Sequence, residues 1–215
     1  MNNLEKYKGV TFVNPVTITI EDNVEIEEGS KILPGCYLHG DTKIGKNCVV
    51  GPNTELFNAV LEDEVTCTHS VIYDSKIKST AKVGPFTHLR MNTTVGEGDR
   101  IGNFVEIKNS TIDRKTNVSH LTYVGDTDCG AGVNFGCGVV TVNYDGKNKF
   151  RTTIGDNVFI GCNSNLIAPV TLATGSFVAA GSTINHSLAE DDFAIARARQ
   201  ETKKGYAKHF GYKKV

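Results

Sequence analysis

An aliphatic side chain recurs at every sixth position through most of this chain, and that period limits the possible fold more than any other feature. The recurring residues form three runs, which are Ile20, Ile26, Ile32, Leu38, Ile44, Val50 and Leu56; Ile77, Val83, Leu89, Val95, Ile101 and Ile107; and Ile154, Ile160, Leu166, Leu172, Val178 and Ile184. A fixed period of this length is typical of a parallel β-helix. Stacked coils share one core in such a fold, and each coil stabilises its neighbours. The sequence therefore predicts an all-β solenoid.

Three hexapeptides close one triangular coil, so residues 18 apart in the sequence are expected to lie above one another. At an inter-strand spacing of about 4.8 Å, the repeat from Ile20 to Ile184 predicts about nine coils and a prism on the order of 40 Å tall. Between Leu56 and Ile77 some steps shorten to five residues. We interpret these steps as tightened corners within one continuous prism. The likeness to hexapeptide-repeat proteins implies left-handed winding.

The period also divides the chain. Residues 1–19 are expected to form a lead-in that caps the open end of the prism. Residues 20–187 are expected to form the β-helix itself, interrupted by a loop at 142–153 where the hexads break. Residues 188–215 are expected to leave the prism as an extended segment followed by a short helix.

Composition narrows the classes of partner. The net charge of −1 over 215 residues gives no reason to expect nucleic acid or a membrane surface as a partner. No apolar run approaches the roughly 20 residues of a membrane span, and residues 1–9 lack the apolar core of a signal peptide. We therefore expect a cytoplasmic protein. Its six cysteines include no C-x-x-C pair, which favours reduced structural thiols over disulfides or a metal site.

Residues 90–149 carry charged and ring side chains where the rest of the repeat carries small ones. Arg90 and Lys108 both follow an aliphatic residue and are 18 positions apart, so they should stack as two cations. A phosphate between them would turn repulsion into attraction, because Arg and Lys both bind phosphate oxygens. The alternative, that both side chains extend into solvent, is equally open from this pair alone.

Two five-residue steps shorten the following coils to 17 residues, which places Asn103, His120 and Cys137 in one column. Glu106 and Tyr123 share a neighbouring column by the same count. His120 is then a candidate general base with polar neighbours, although a lone histidine is more often structural. The loop at 142–153 offers further contacts from Asn143, Tyr144, Lys147 and Lys149, or it is a solvated turn.

Several motifs in this order resemble one bacterial family. They are GPFTHLR (84–90), GNFVEIK (102–108), SHLTYVGD (119–126), VNFGCG (133–138), VNYDGKNKF (142–150) and GDNVFIGCNSNLIAPV (155–170). Together they are similar to the acetyltransferase domain of the bifunctional glucosamine-1-phosphate acetyltransferase/N-acetylglucosamine-1-phosphate uridylyltransferase. The resemblance extends over nearly the whole chain from Gly9 onward.

The resemblance implies roles for individual residues. His120 would be the general base. The residues that would hold the phosphate and sugar of glucosamine-1-phosphate are Arg90, Lys108, Tyr123, Asn134 and Lys149. The residues that would contact acetyl-CoA are Cys137, Asn143, Tyr144, Cys162, Ala180 and Arg197. Cys162 and Ala180 are also 18 positions apart, so two small side chains should stack there and leave a groove. Cys137 and Cys162 stand where the family commonly has Ala and Ser.

The reaction implied is N-acetylation of glucosamine-1-phosphate, in which the sugar amine attacks the thioester of acetyl-CoA directly. No metal is implied, and the family forms homotrimers with sites between subunits. We expect no uridylyltransferase activity, because no Gly-rich nucleotide loop precedes the repeat.

Three alternatives remain at this stage. One is acyl transfer to a different amino sugar, and another is a non-catalytic scaffold. The third is a metal-dependent hydratase on the same fold. It is disfavoured because His88, His120 and His186 lack the close histidine spacing that such a site needs.

Overall fold

The computed structural model describes residues 4–211 of the chain, so residues 1–3 of the lead-in and 212–215 of the tail lie outside the described residues. The chain is a parallel β-solenoid, as the repeat predicts. Its strands form three sheets, and successive strands enter the three sheets in turn. Each strand inside a sheet therefore pairs in parallel with the strands one coil before and one coil after it, and each strand at the end of a sheet pairs on one side.

Within the described residues, sheet 1 has eleven strands, which are β1 (Thr11–Phe12), β4 (Lys31–Ile32), β7 (Val49–Val50), β10 (Thr66–Cys67), β13 (Lys82–Val83), β16 (Arg100–Asn103), β19 (Asn117–His120), β22 (Asn134–Phe135), β25 (Phe159–Ile160), β28 (Phe177–Val178) and β30 (Phe193–Ala194). Over the same residues sheet 2 has ten, which are β2 (Thr19–Ile20), β5 (Tyr37–His39), β8 (Glu55–Phe57), β11 (Val71–Tyr73), β14 (Thr87–Arg90), β17 (Val105–Lys108), β20 (Tyr123–Gly125), β23 (Val140–Val142), β26 (Asn165–Ile167) and β29 (Thr183–Ile184).

Sheet 3 has nine strands in the described part of the chain, which are β3 (Glu25–Ile26), β6 (Lys43–Ile44), β9 (Val60–Leu61), β12 (Lys76–Ile77), β15 (Thr94–Val95), β18 (Thr111–Ile112), β21 (Thr127–Cys129), β24 (Thr152–Ile154) and β27 (Val170–Leu172). The described helices are short 3₁₀ turns at Leu4–Lys6, Pro15–Thr17 and Tyr206–Phe210. None of them has the length and apolar character that a membrane crossing requires.

The repeat builds the core from two kinds of inward-facing residue. The aliphatic position is buried throughout the prism, as at Ile32, Leu89 and Ile160. The second inward position carries small or β-branched residues, and several of its hydroxyl groups bind the backbone of a neighbouring coil. The Oγ of Ser30, for example, accepts a hydrogen bond from the backbone N–H of Cys48 at 2.9 Å. These hydroxyls satisfy backbone groups at the corners, where no strand partner is available.

The coils stack in register along the whole prism, although not every coil has 18 residues. Leu89 pairs with Ile107 across an 18-residue coil. The five-residue steps after Leu56 give a 16-residue coil that pairs Leu56 with Ile72 and leaves the sheet unbroken. The interpretation of those steps as tightened corners is therefore confirmed.

Both ends differ from the expected boundaries. Within the lead-in, β1 already pairs with β4, and the side chains of Tyr7 and Ile18 are buried in the core. In the expected tail, β30 pairs with β28 and so adds one more strand to sheet 1. The expectation that the chain leaves the prism at residue 188 is wrong for this segment, because Leu188 and Ala194 still pack against the core.

Candidate functional site

The outer surface of sheet 2 carries the predicted pair of cations. Arg90 and Lys108 end β14 and β17 and are direct register partners, as the 18-residue spacing predicts. Each cation also has a carboxylate partner within the chain. Arg90 donates hydrogen bonds to Glu106 from Nε at 2.9 Å and from Nη2 at 2.7 Å. The Nζ of Lys108 lies 3.2 Å from Oδ2 of Asp126.

The Lys108–Asp126 ion pair is buried, with only 3% of Lys108 and 5% of Asp126 exposed. The Nδ2 of Asn109 donates to Asp126 at 2.6 Å, and the Nδ2 of Asn143 donates to its other carboxylate oxygen. Burial opposes ionisation of Asp126, but the bonds from Asn109, Lys108 and Asn143 outweigh burial and lower its pKa. The carboxyl group is therefore an anion that holds three side chains.

The predicted loop is a small hairpin that follows β23. Tyr144 and Lys149 form an antiparallel bridge at its base. Its turn is closed by Asp145, whose Oδ1 accepts from the backbone N–H of Lys147 at 2.8 Å and of Asn148 at 2.6 Å. Asn143 fixes the base of the hairpin to sheet 2, because its Nδ2 binds Asp126, the ion-pair partner of Lys108.

Lys149 interacts electrostatically with both cations of the stacked pair. Its pKa is lowered, first by the interaction with Lys108 and further by the charge of Arg90. Burial alone would lower the pKa of Lys108, but its interactions with Lys149 and Asp126 outweigh burial and raise it. Lys108 therefore keeps its proton, and Lys149 is the weaker base of the two. We call Arg90, Lys108 and Lys149 the cationic cluster.

Two predicted coenzyme contacts lie beside this cluster. Asn143 is 8% exposed, and its Nδ2 donates to Asp126 and, at 3.5 Å, to the hydroxyl oxygen of Tyr123. Its side-chain amide nitrogen is thus occupied by Asp126 and Tyr123 within this chain. Tyr144 is 55% exposed, and its hydroxyl group donates to the carbonyl of Gly146 at 2.7 Å.

The corner between sheets 1 and 2 carries His120 and the small residues that were predicted to contact acetyl-CoA. The Nδ1 of His120 lies 2.8 Å from Oδ1 of Asn103, its register partner in the preceding coil. The register then places Cys137 and Cys162 below His120, since Phe135 pairs with Ile160. The predicted column is therefore observed, and the neighbour that orients the imidazole is an amide oxygen.

The same edge continues to the end of the prism. The next coil places Ala180 under Cys162, and Arg197 donates from Nη1 to the carbonyl of Ala180 at 3.0 Å. At Gly161 an added Cβ would lie 2.3 Å from the backbone nitrogen of Ala180, so successive coils approach too closely for a side chain. Small residues and close coils leave a shallow edge. We call Asn103, His120, Cys137, Cys162 and Ala180 the His120 edge.

A single chain does not bring all the predicted residues together. His120 lies at the corner before sheet 2, whereas Arg90 and Lys108 lie at the corner after it. Asn134 lies in sheet 1, between Asn117 and Phe159. Stacking within one chain therefore does not gather the guanidinium, the ammonium and the imidazole at one corner. Stacking unites residues of one column, and these residues occupy different columns.

Sequence reasoning missed Asp126 and Asn109. A usable signal was present, because the 17-residue coil length that relates Asn103 to His120 also relates Asn109 to Asp126. The six cysteines are all free, and four of them are buried. Among residues 4–211, no group of three or more His, Cys, Asp or Glu side chains is arranged to hold a metal ion.

Comparisons with known proteins agree with this fold. Residues 18–58 and 151–186 match the bacterial transferase hexapeptide (six repeats) family. The chain is 50% identical to the bifunctional protein GlmU of Exiguobacterium sp. strain AT1b over 201 residues, which is 94% of this chain and 45% of that protein. It is 49% identical to GlmU of Clostridium novyi strain NT over 214 residues, which is 100% of this chain and 47% of that protein.

The UDP-N-acetylglucosamine acyltransferase from Campylobacter jejuni has a similar fold, with a TM-score of 0.59 and 15% identity over 86% of this chain and 71% of that one. Residues 18–58 and 151–186 thus carry the repeat of the bacterial transferase hexapeptide family. Over nearly its whole length the chain is homologous to bifunctional GlmU proteins, which confirms the resemblance seen in the motifs. The chain spans about half the length of these relatives.

Proposed function

We propose that this chain is an acyltransferase that moves the acetyl group of acetyl-CoA to the amino group of glucosamine-1-phosphate. The observation that carries the proposal is the cationic cluster of Arg90, Lys108 and Lys149. Glu106 and Asp126 offset two of the three positive charges, and one remains in excess. A phosphate group suits this position, because a guanidinium grips its oxygens as a fork and ammonium groups act as point charges.

The His120 edge supports the coenzyme half of the proposal. If Oδ1 of Asn103 accepts the hydrogen bond at 2.8 Å, Nδ1 of His120 carries the proton. The lone pair is then on Nε2, which is the form a general base needs. The stacked small residues Cys162 and Ala180 leave room for the pantetheine arm of the coenzyme, and Arg197 lies at the end of the same edge.

The proposed reaction is a direct transfer. The sugar amine attacks the thioester carbonyl, and His120 accepts a proton from the attacking nitrogen. A backbone N–H near Cys137 stabilises the oxyanion. The carbon–sulfur bond then breaks, and coenzyme A leaves as the thiol after taking up a proton.

The cationic cluster and the His120 edge lie at different corners of one chain, so the proposed site requires a second copy. In a homotrimer, the His120 edge of one subunit would face the cationic cluster of its neighbour. This arrangement would also place Asn134, which lies apart on sheet 1, at the shared boundary. The assembly is therefore part of the functional proposal.

A thiol-release assay tests the proposal, with acetyl-CoA and either glucosamine-1-phosphate or glucosamine as acceptor. We expect the phosphorylated sugar to have a much higher kcat/KM. Equal values for the two sugars would remove the phosphate role of the cluster and favour transfer to another amino sugar. Absence of acetyl-CoA binding would favour a non-catalytic scaffold. A chelator is expected to leave the rate unchanged, since no step uses a metal.

A further inference from the structure

Asp126 connects three parts of the chain that are distant in sequence. Its carboxylate binds Lys108 and Asn109 at the end of β17 and Asn143 at the base of the hairpin. Its backbone carbonyl also accepts a hydrogen bond from Thr152 at the start of β24 at 3.0 Å. One residue therefore joins the end of a strand to both ends of the loop that carries Lys149.

The backbone around Asn143 extends this connection to Lys149. The carbonyl of Asn143 accepts a hydrogen bond from the N–H of Phe150 at 2.9 Å, and Phe150 is the residue after Lys149. A shift of the Asn143 backbone would thus be passed to the strand of the hairpin that carries the ammonium, and the bond from its side chain to Asp126 opposes such a shift. Lys108 is held by the same carboxylate, so the two lysines have one common anchor.

We infer that Asp126 is a positioning residue that fixes Lys108 and the 143–151 hairpin in the geometry the cationic cluster needs to bind a sugar phosphate. The inference rests on the proposed function, although the anchoring itself does not. The alternative is that the Asp126 carboxylate competes with the substrate phosphate for Lys108. The two roles predict opposite effects on substrate affinity when the negative charge is removed.

The Asp126→Asn substitution separates these roles. Asp126 has a backbone φ of 51°, a conformation that Asn tolerates as well as Asp, so the backbone can remain in place. We expect KM for glucosamine-1-phosphate to rise about 10- to 100-fold, as for a small misplacement of binding groups. The KM for acetyl-CoA should stay within about twofold of the wild-type value, a change too small to signal a lost binding contact.

A second variant guards against simple misfolding. The Asp126→Asn change leaves Lys108 buried without its anion, which is destabilising. Asn143→Ala leaves the Lys108–Asp126 ion pair intact and removes the side-chain bond between the hairpin and Asp126, together with the weaker bond to Tyr123 at 3.5 Å. We expect the same selective rise in KM for the sugar phosphate. A selective rise in KM for acetyl-CoA would instead make Asn143 a coenzyme contact and would overturn its role as a connection.

Hydrogen exchange gives a readout that does not depend on activity. The amide hydrogens of Asp145, Phe150 and Thr152 are bonded within or beside the hairpin and should exchange faster in both variants. The matched control is Glu62→Gln, which removes the charge from a carboxylate that binds Lys76 at 2.7 Å in sheet 3, away from the cluster. It should change neither exchange in the hairpin nor either KM.

The outcomes distinguish this inference from the function on which it rests. A lower KM for the sugar phosphate in Asp126→Asn would show competition and overturn the positioning role. Unchanged exchange and unchanged KM in both variants would overturn it as well. If the wild type fails to acetylate glucosamine-1-phosphate, the proposed function fails, and faster exchange in the two variants still supports Asp126 as the anchor of the hairpin.

Discussion

Asp99 places a carboxyl group inside the prism, and we predict that replacing it changes how stability depends on pH. The residue is 1% exposed and occupies an inward position that carries a small residue in most coils, such as Ser30 and Ala81. Its Oδ2 accepts the N–H of Gly96 at 2.7 Å, and its Oδ1 accepts the N–H of Thr116 at 2.8 Å. Burial outweighs these bonds and raises the pKa of Asp99 to about 7.

The size of the effect follows from linkage. The pKa in the unfolded chain is near the ordinary value of 3.8, so the folded state holds its proton more tightly. As pH rises from about 4 to about 7, the unfolded state loses its proton first and folding becomes less favourable. The difference between the two pKa values corresponds to about 4 kcal/mol of lost stability at pH above 7. Below about pH 4 the group contributes no such loss.

We expect Asp99→Ser to remove this pH dependence. A serine at the equivalent position, Ser30, accepts the N–H of the next coil and donates to the carbonyl of Gly45 at 2.7 Å without any charge. The stability of the variant relative to the wild type should rise by up to about 4 kcal/mol between pH 4 and pH 8. The lost hydrogen bond to Gly96 lowers the unfolding free energy of the variant by an amount that does not change with pH, so it does not affect this comparison.

Urea denaturation at several pH values, monitored by circular dichroism, measures the effect. Asp41→Ser, at an exposed position, controls for the loss of one negative charge. If the difference in unfolding free energy between Asp99→Ser and the wild type is the same at pH 4.5 and pH 8, the Asp99 carboxyl is not destabilised by burial. That result would refute the reasoning.

Three further predictions concern the proposed reaction. Replacing His120 with Ala should lower kcat by about 10²–10⁴ while leaving the KM values nearly unchanged, and turnover near the wild-type rate would exclude it as the base. Lys149→Ala should raise KM for glucosamine-1-phosphate about tenfold, whereas Lys147→Ala on the same hairpin should not; equal effects would place the phosphate elsewhere. Cys162→Ser should retain turnover, since no acetyl-cysteine forms, and a trapped acetyl-Cys in the wild type would contradict direct transfer.

Most of the fold could be predicted because one period dictates it. Every coil buries the same two positions, so Leu89 and Ile107 must pair, and Arg90 and Lys108 must then stack outside them. The ends were harder to predict. β30 has no aliphatic hexad to mark it, and its pairing with Phe177–Val178 depends on Leu188 and Ala194 covering the last coil.

The site could be predicted only within columns. The spacing of 17 residues correctly places Asn103 beside His120 and Glu106 beside Tyr123. The burial of the Asn143 side chain could not be predicted from this spacing. It depends on a hairpin that interrupts the hexapeptide repeat. It also depends on Asp126, whose carboxylate replaces water as the partner of the Asn143 amide. Composition does not reveal which polar residue of a loop becomes buried.

The division of the site between two corners follows from the same geometry that makes the scaffold regular. A solenoid stacks chemically equivalent positions a few ångströms apart, but it separates residues on either side of a sheet by the width of that sheet. A stack of cations at one corner can therefore bind a phosphate, and a stack of small residues at another can accommodate an extended coenzyme arm. Neither corner alone provides both the phosphate site and the coenzyme site. The proposed transfer requires the thioester and the amine to meet within bonding distance, so the two corners must come from adjacent prisms. On this proposal, a variant that weakens association without altering Arg90, Lys108 or His120 should lose activity on dilution, and retained activity in a monomer would refute it.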